Sequence, residues 1–176
     1  MNTLILYSST DGHTLSLCNY IADKLAGHGE QVLVENIADC SLNPADFNKV
    51  VIGASIRYGR HRPAVYDYIK KYSAELNHTN GLFFSVNLVA RKPERAHVDT
   101  NPYLQKFLKE IPWQPAKVRL FAGKLNYPQY GFWDRWIIRF IMWLTKGPTD
   151  FNSVTDFTDW QAVDTITSST LCQTSD

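Results

Sequence analysis

Five short apolar runs recur along the chain, separated by stretches with helical spacing. They are Leu4-Ile5-Leu6-Tyr7, Val32-Leu33-Val34, Val50-Val51-Ile52-Gly53-Ala54, Leu82-Phe83-Phe84-Ser85-Val86 and Val118-Arg119-Leu120-Phe121-Ala122. The first shows no polar–apolar alternation, as expected of a strand buried on both faces. Between the runs, Leu17, Ile21 and Leu25 share one helical face, and Gly27 and Gly29 supply a stop. Further helices fit from about Ala64 to Leu76 and from about Asn101 to Ile111. A last one opens near Thr158, where Thr158-x-x-Gln161 has capping-box spacing. Strands alternating with helices at this rhythm imply βαβ units and a parallel sheet covered on both faces. The 176 residues leave room for one domain, expected over 1–172. The fold class expected is α/β, a three-layer, doubly wound, five-stranded sheet. Its ligand should lie beyond the carboxyl ends of the strands, at the loops after strands one, three and four.

Several classes drop out. With 44% hydrophobic and 20% charged residues the chain is no disordered tail, collagen-like repeat or disulfide scaffold. Cys18, Cys40 and Cys172 form no CxxC pair and fit a reducing compartment, and the five His have no ligand spacing, so no metal is expected. The amino-terminal run reaches Asp11 without a basic start, unlike a signal peptide. The longest apolar run, Trp136 to Leu144, is broken by Arg139 and falls far short of the ~20 residues of a membrane span. The expectation is a cytosolic protein, or one attached to a membrane from the cytosol. Charge is sharply divided. Residues 1–56 carry two basic and six acidic side chains, and 147–176 carry five Asp with no Lys or Arg. The middle, 57–146, carries sixteen basic against six acidic. Such segregation points to an anionic partner, unless the fold intermingles the segments.

The first loop, Ser8-Ser9-Thr10-Asp11-Gly12-His13-Thr14, lacks the glycines of a dinucleotide fingerprint and the Gly-Lys-Ser/Thr of an NTPase loop. Its hydroxyls and a fresh helix N-terminus suit a phosphate monoester without any cationic side chain, though they also suit plain helix capping. The second loop, Ser55-Ile56-Arg57-Tyr58-Gly59-Arg60-His61-Arg62-Pro63, sets three Arg around a Tyr. It can hold an acidic ligand or be a solvated helix entrance. The third, Asn87 to His97, is basic too.

Between Asn126 and Pro148 lie Tyr127, Tyr130, Phe132, Trp133, Trp136, Phe140 and Trp143. On a helix, Arg135, Arg139, Met142 and Lys146 fall on one stripe, with nearly everything else apolar. This suits a membrane interface, with the basic stripe toward lipid phosphates, or a greasy ligand; the bland alternative is an insertion buried against its own domain. No nucleic-acid module is matched, so no nucleic-acid partner is expected.

The first loop resembles the FMN-phosphate loop of flavodoxins, one residue longer than the usual Thr-x-Thr-x-x-Thr. More specifically, Val51 to Gly59 and Phe84 to Glu94 resemble the bacterial quinone-dependent protoporphyrinogen IX dehydrogenases, the flavodoxin-like enzymes of haem synthesis. The aromatic insertion at about 127–147 and Thr158-Asp159-Trp160 share in the likeness. The resemblance implies FMN held by Ser9, Thr10, Asp11, Gly12, His13 and Thr14 at its phosphate. Its ring would lie against Ser55, Ile56, Arg57, Tyr58 and Gly59, and against Ser85, Val86, Asn87, Leu88, Val89, Ala90, Arg91 and Lys92. It implies protoporphyrinogen IX as substrate, losing six electrons through the flavin to a membrane quinone, menaquinone or ubiquinone. Arg57, Arg91 and Lys92 would meet the propionates. Trp133, Arg135, Trp136, Arg139, Phe140, Trp143 and Lys146 would serve an anionic membrane surface or the substrate. The setting implied is peripheral, on the cytoplasmic face of the bacterial inner membrane. Rival readings on the same fold are an electron-carrier flavodoxin, usually strongly acidic, and an NAD(P)H:quinone oxidoreductase.

Overall fold

The computed structural model describes residues 1–144 and 147–171. The chain runs β1 (Asn2–Ser8), α1 (His13–Gly27), β2 (Gln31–Asn36), β3 (Lys49–Ser55), α2 (Pro63–Lys71), α3 (Ser73–His78), β4 (Asn80–Asn87), α4 (Pro102–Glu110) and β5 (Lys117–Ala122). It continues through β6 (Lys124–Asn126), α5 (Phe132–Leu144), β7 (Val154–Asp156) and α6 (Trp160–Ile166). The five long strands pair in parallel in the order β2-β1-β3-β4-β5. The strand order reverses between β1 and β3, and the crevice that opens there is where such sheets bind ligands.

The central strands are buried almost throughout, and their side chains alternate between two cores. Leu4, Leu6, Val50, Ile52 and Phe83 face one side, under Val65 and Ile69 of α2, Leu76 of α3 and Leu104 and Phe107 of α4. Ile5, Val51, Leu82 and Phe84 face the other, under Leu17, Ile21 and Leu25 of α1 and Val163 of α6. Gly53 pairs with Phe84 across β3 and β4, and a Cβ on it would stand 2.2 Å from the Phe84 ring; only glycine lets that ring lie against the strand. At the amino-terminal edge, Lys49 Nζ meets Glu30 Oε1 at 2.6 Å, and Thr3 Oγ1 donates to Glu30 Oε2 at 2.7 Å. A buried pair satisfied in this way fixes register there.

The structure departs from expectation in three places. The helix expected over Ala64 to Leu76 is two, because the chain leaves helical geometry at Tyr72, which caps α2 and opens α3. The cap of the last helix is Asp159, whose side chain accepts from Ala162 N, not Thr158. Thr158 instead spends its hydroxyl on Ala122 O at 2.8 Å. The antiparallel ribbon of β6 and β7 has too few residues to leave a pattern. It belongs to a third, small core of Leu125, Tyr127, Tyr130 and Met142, beneath which Leu88, Ile138, Phe151 and Phe157 are half-buried. That core seats α5 beside the switch point. Among the described residues no helix is long and apolar enough to cross a membrane.

Candidate functional site

A cavity of about 450 Å³ opens at the carboxyl end of the sheet, at the β1/β3 switch point. Its floor is the loop between β1 and α1. Gly12 closes that loop with φ +80°, a left-handed backbone that favours glycine, and no side chain caps α1. The first-turn amides of this 15-residue helix therefore lack side-chain partners. Beside them, Ser9 Oγ and Thr14 Oγ1 are buried and make no hydrogen bond within the protein. Buried hydroxyls without partners are costly unless a ligand completes them. His13 is drawn aside: its Nε2 donates to Thr158 Oγ1 at 2.7 Å, since that hydroxyl's own proton goes to Ala122 O. Burial pushes its pKa down, outweighing Asp156, and Lys124 adds to the effect.

The loop after β3 turns tightly. Arg57 and Arg60 exchange backbone hydrogen bonds at 3.0 and 3.2 Å, with Tyr58 at φ +52° and Gly59 at φ +79°, the left-handed pair a type I′ turn requires. A side chain at Gly59 would also press on the Tyr103 ring, 3.1 Å away. Arg57 is divided between two carboxylates, Nη1 to Asp11 at 3.2 Å and Nη2 to Asp134 of α5 at 2.5 Å, and the Tyr58 hydroxyl donates to the same Asp134. Beneath the turn, buried His61 donates from Nδ1 to Ser55 O at 3.2 Å, and Ser85 Oγ lies 3.4 Å from its Nε2. Its ring packs on Phe83 and Phe107.

From β4, Asn87 Oδ1 accepts from Ala90 N, while its buried Nδ2 has no protein partner. Arg91 reaches back to Leu88 O at 2.9 Å. With Lys92, Arg95 and Lys124 it gives the cavity a cationic rim, opposed by Asp11. The far wall is apolar, made by Ile138, Ile141 and Met142 of α5. That helix turns only part of its apolar surface inward. Met142 is buried, Arg139 lies over the Phe151 ring at 4.4 Å, and Arg135 turns back to Pro128 O and Tyr130 O. Phe132, Trp133, Trp136, Phe140, Trp143 and Leu144 stand in solvent instead.

Residues 4–152 match the Flavodoxin domain family. A protein of Escherichia coli K12 named protoporphyrinogen IX dehydrogenase [quinone] is 42% identical over 165 residues, 93% of this chain and 91% of that one. One of the same name from Leishmania major is 46% identical over 162 residues, 91% of this chain and 70% of that one. The solution structure of two-electron reduced Megasphaera elsdenii flavodoxin overlays 68% of this chain and 85% of its own, with TM-score 0.51 and 14% identity, a likeness of fold alone. The chain belongs to the flavodoxin-like protoporphyrinogen IX dehydrogenase family. As a member it is an oxidoreductase, and a flavodoxin domain implies a flavin. The residues present fit one: an uncapped helix start, two unpartnered buried hydroxyls and one unpartnered buried amide surround the same cavity.

Of the flavin-loop residues expected for this family, all line the cavity except Gly12, Ser85 and Ala90. Gly12 contributes backbone shape, Ser85 points to His61, and Ala90 is buried behind Asn87. Of the expected propionate partners, Arg91 and Lys92 line the rim; Arg57 does too, but it is already held by Asp11 and Asp134. The basic stripe of α5 departs from expectation. Arg135 and Arg139 turn toward the protein, where Arg135 Nη2 reaches two backbone carbonyls and Arg139 lies over the Phe151 ring. Lys146 lies outside the described residues. The sequence assigns no role to Tyr103 and Lys124, and it offers Ile138, Ile141 and Met142 only as part of the apolar helix suited to a membrane interface or a greasy ligand.

Proposed function

We propose that this chain holds FMN in the switch-point cavity and oxidises protoporphyrinogen IX to protoporphyrin IX. The electrons pass to a membrane quinone, menaquinone or ubiquinone, as a step of haem synthesis on the cytoplasmic face of the bacterial inner membrane. One observation carries the reading: Ser9 Oγ and Thr14 Oγ1, buried and unpartnered, flank an uncapped helix start inside a cavity with a cationic rim and an apolar wall. Bound FMN supplies two-electron acceptance, so the six electrons leave in three rounds. The hydroxyls and the first-turn amides of α1 take its phosphate, which explains how the stretch from Met1 to Cys18 manages with no Lys or Arg. Asn87 Nδ2 offers a donor to the polar edge of the ring. Arg91 and Lys92 take propionates at the rim, and Ile138, Ile141 and Met142 cover the tetrapyrrole's apolar face and keep water out. The outer rings of α5 lie in the bilayer interface, and Arg95 and Lys124 of the cavity rim serve anionic headgroups.

The test is anaerobic: FMN-loaded protein, protoporphyrinogen IX and a quinone, read by the appearance of porphyrin fluorescence. Quinone-dependent fluorescence without flavin reduction by NADPH is the expected result. NADPH oxidation without porphyrin formation assigns the protein elsewhere. The phosphate site has its own check. Ser9→Ala with Thr14→Val should weaken FMN by roughly tenfold or more per lost hydrogen bond to a charged phosphate. The ligand-free variant should be as stable as the parent or more so, because two unsatisfied buried hydroxyls are gone. Unchanged FMN affinity in a fluorescence titration removes the assignment.

A further inference from the structure

The ion pairs at the mouth of the cavity are arranged in a way the proposed reaction does not by itself explain. One guanidinium, Arg57, serves two carboxylates with one nitrogen each, 3.2 Å to Asp11 and 2.5 Å to Asp134, so neither pair has the bidentate geometry a guanidinium can offer. Around it stand the rings of Tyr58 and Tyr130, centroids 5.7 and 5.9 Å away. Tyr58 is the one non-glycine residue at positive φ among those described, and its hydroxyl also goes to Asp134. Asp134 sits in the first turn of α5, yet its carboxylate crosses to another loop. The same helix brings Ile138, Ile141 and Met142 into the cavity wall.

We propose that Asp134 is a carboxylate placeholder: it occupies the Arg57–Tyr58 subsite until a carboxylate of an incoming ligand displaces it, which frees the first turn of α5. Charge drives the exchange. Two acidic groups already share one cation, so a third carboxylate at Arg57 meets an excess of negative charge unless one of them leaves. Asp11 belongs to the phosphate loop on the cavity floor, whereas Asp134 rides on the wall helix and is the one that can move without disturbing that loop. The subsite then distinguishes the two partners of the proposed reaction. An anionic tetrapyrrole releases the wall on entering; a neutral quinone brings no charge to displace Asp134 and meets the wall latched. Apparent affinity for a carboxylate ligand is reduced by the fraction of molecules in which Asp134 holds the subsite.

This inference rests on the reading of the cavity as a porphyrin site, and its test separates the two. FMN-loaded full-length protein is titrated with protoporphyrin IX and with its dimethyl ester, following quenching of protein fluorescence. Asp134→Asn, which keeps the shape and removes the charge, should tighten the free acid by about three- to tenfold, the gain from a latch closed most of the time, and leave the ester unmoved. Tyr58→Phe, which removes one of the two contacts to Asp134, should shift the acid in the same sense by less. Equal or weaker binding of the acid to Asp134→Asn, or equal shifts for acid and ester, overturns the placeholder and leaves Asp134 as packing for α5. If the acid-selective shift appears but the parent protein fails to oxidise protoporphyrinogen IX, the proposed reaction falls and the carboxylate subsite stands. If oxidation proceeds without the shift, only the placeholder falls.

Discussion

Unfolding free energy should fall by roughly 3 kcal/mol as the pH drops from 6.5 to about 4, most of it through one buried histidine. His61 is 4% exposed and packed between Phe83 and Phe107. Burial pushes its pKa down to about 4 from 6.5, and the hydrogen bond to Ser55 O restores only part. The sign follows from proton counting. Above 6.5 the ring is neutral in both states and contributes no slope. Between 6.5 and 4 the unfolded chain takes up a proton that the folded chain refuses, so stability is lost as pH falls. Below about 4 both states are protonated and the loss stops growing. Carboxylates held below their usual range, Glu30 and Asp156 among them, add losses that begin only at the acid end of this window, whereas His13 acts across it in the same direction. Urea midpoints measured from pH 7.5 to 4.5 give the slope, and His61→Gln isolates the contribution. Glutamine keeps a donor for Ser55 O and cannot titrate, so the variant should be less stable at pH 7.5 and distinctly flatter toward acid. An undiminished slope in the variant assigns the acid lability to other groups. The site is involved too, because the carbonyl that His61 holds belongs to Ser55, on the cavity wall.

That histidine shows what kind of information the sequence carries. The five apolar runs place all five long strands, since burial on both faces leaves short unbroken apolar stretches, and the strand order then locates the cavity at the β1/β3 crevice. The loops after β1, β3 and β4 were legible as site loops because parallel sheets put their ligands there. The roles inside those loops were not. His61 reads as one more basic residue in an Arg-rich stretch, and only tertiary packing makes it a neutral strut. Arg57 reads as a ligand-facing cation, and its partner Asp134 lies 77 residues away. Thr158 reads as a cap, whereas a competing acceptor, Ala122 O, takes its hydroxyl. Helix α5 is the sharpest case. Its periodicity defines a basic stripe and an apolar face correctly, but an amphipathic pattern says only that the two faces differ, not which faces in. Here Phe151 and the carbonyls of Pro128 and Tyr130 draw Arg139 and Arg135 inward, and the aromatic rings are left outward.

The outward face leads to the second large effect. Replacing Trp133, Phe140 and Trp143 together by Ser should abolish flotation of the protein with vesicles containing anionic lipid. These rings are 77%, 61% and 68% exposed, so no core is opened by removing them, and the FMN spectrum and thermal stability should stay as in the parent. If each ring contributes about 1.5 kcal/mol by leaving water for the headgroup boundary, three together change the partition coefficient by roughly 10³. The orientation of α5 also sets the salt response. Were Arg135 and Arg139 aimed at lipid phosphates, binding would weaken steeply with ionic strength; with both turned inward, apolar contact dominates, and 0.5 M salt should release only part of the protein. Activity divides in the same way. The triple variant should keep oxidising protoporphyrinogen IX with a water-soluble quinone and lose turnover with a long-chain quinone confined to vesicles, since only the second requires the cavity mouth to sit at the bilayer. Should the intact protein fail to float, the aromatic face has no lipid role. Should the variant lose activity with both quinones alike, those rings would serve the cavity from outside, as part of its wall, rather than the membrane.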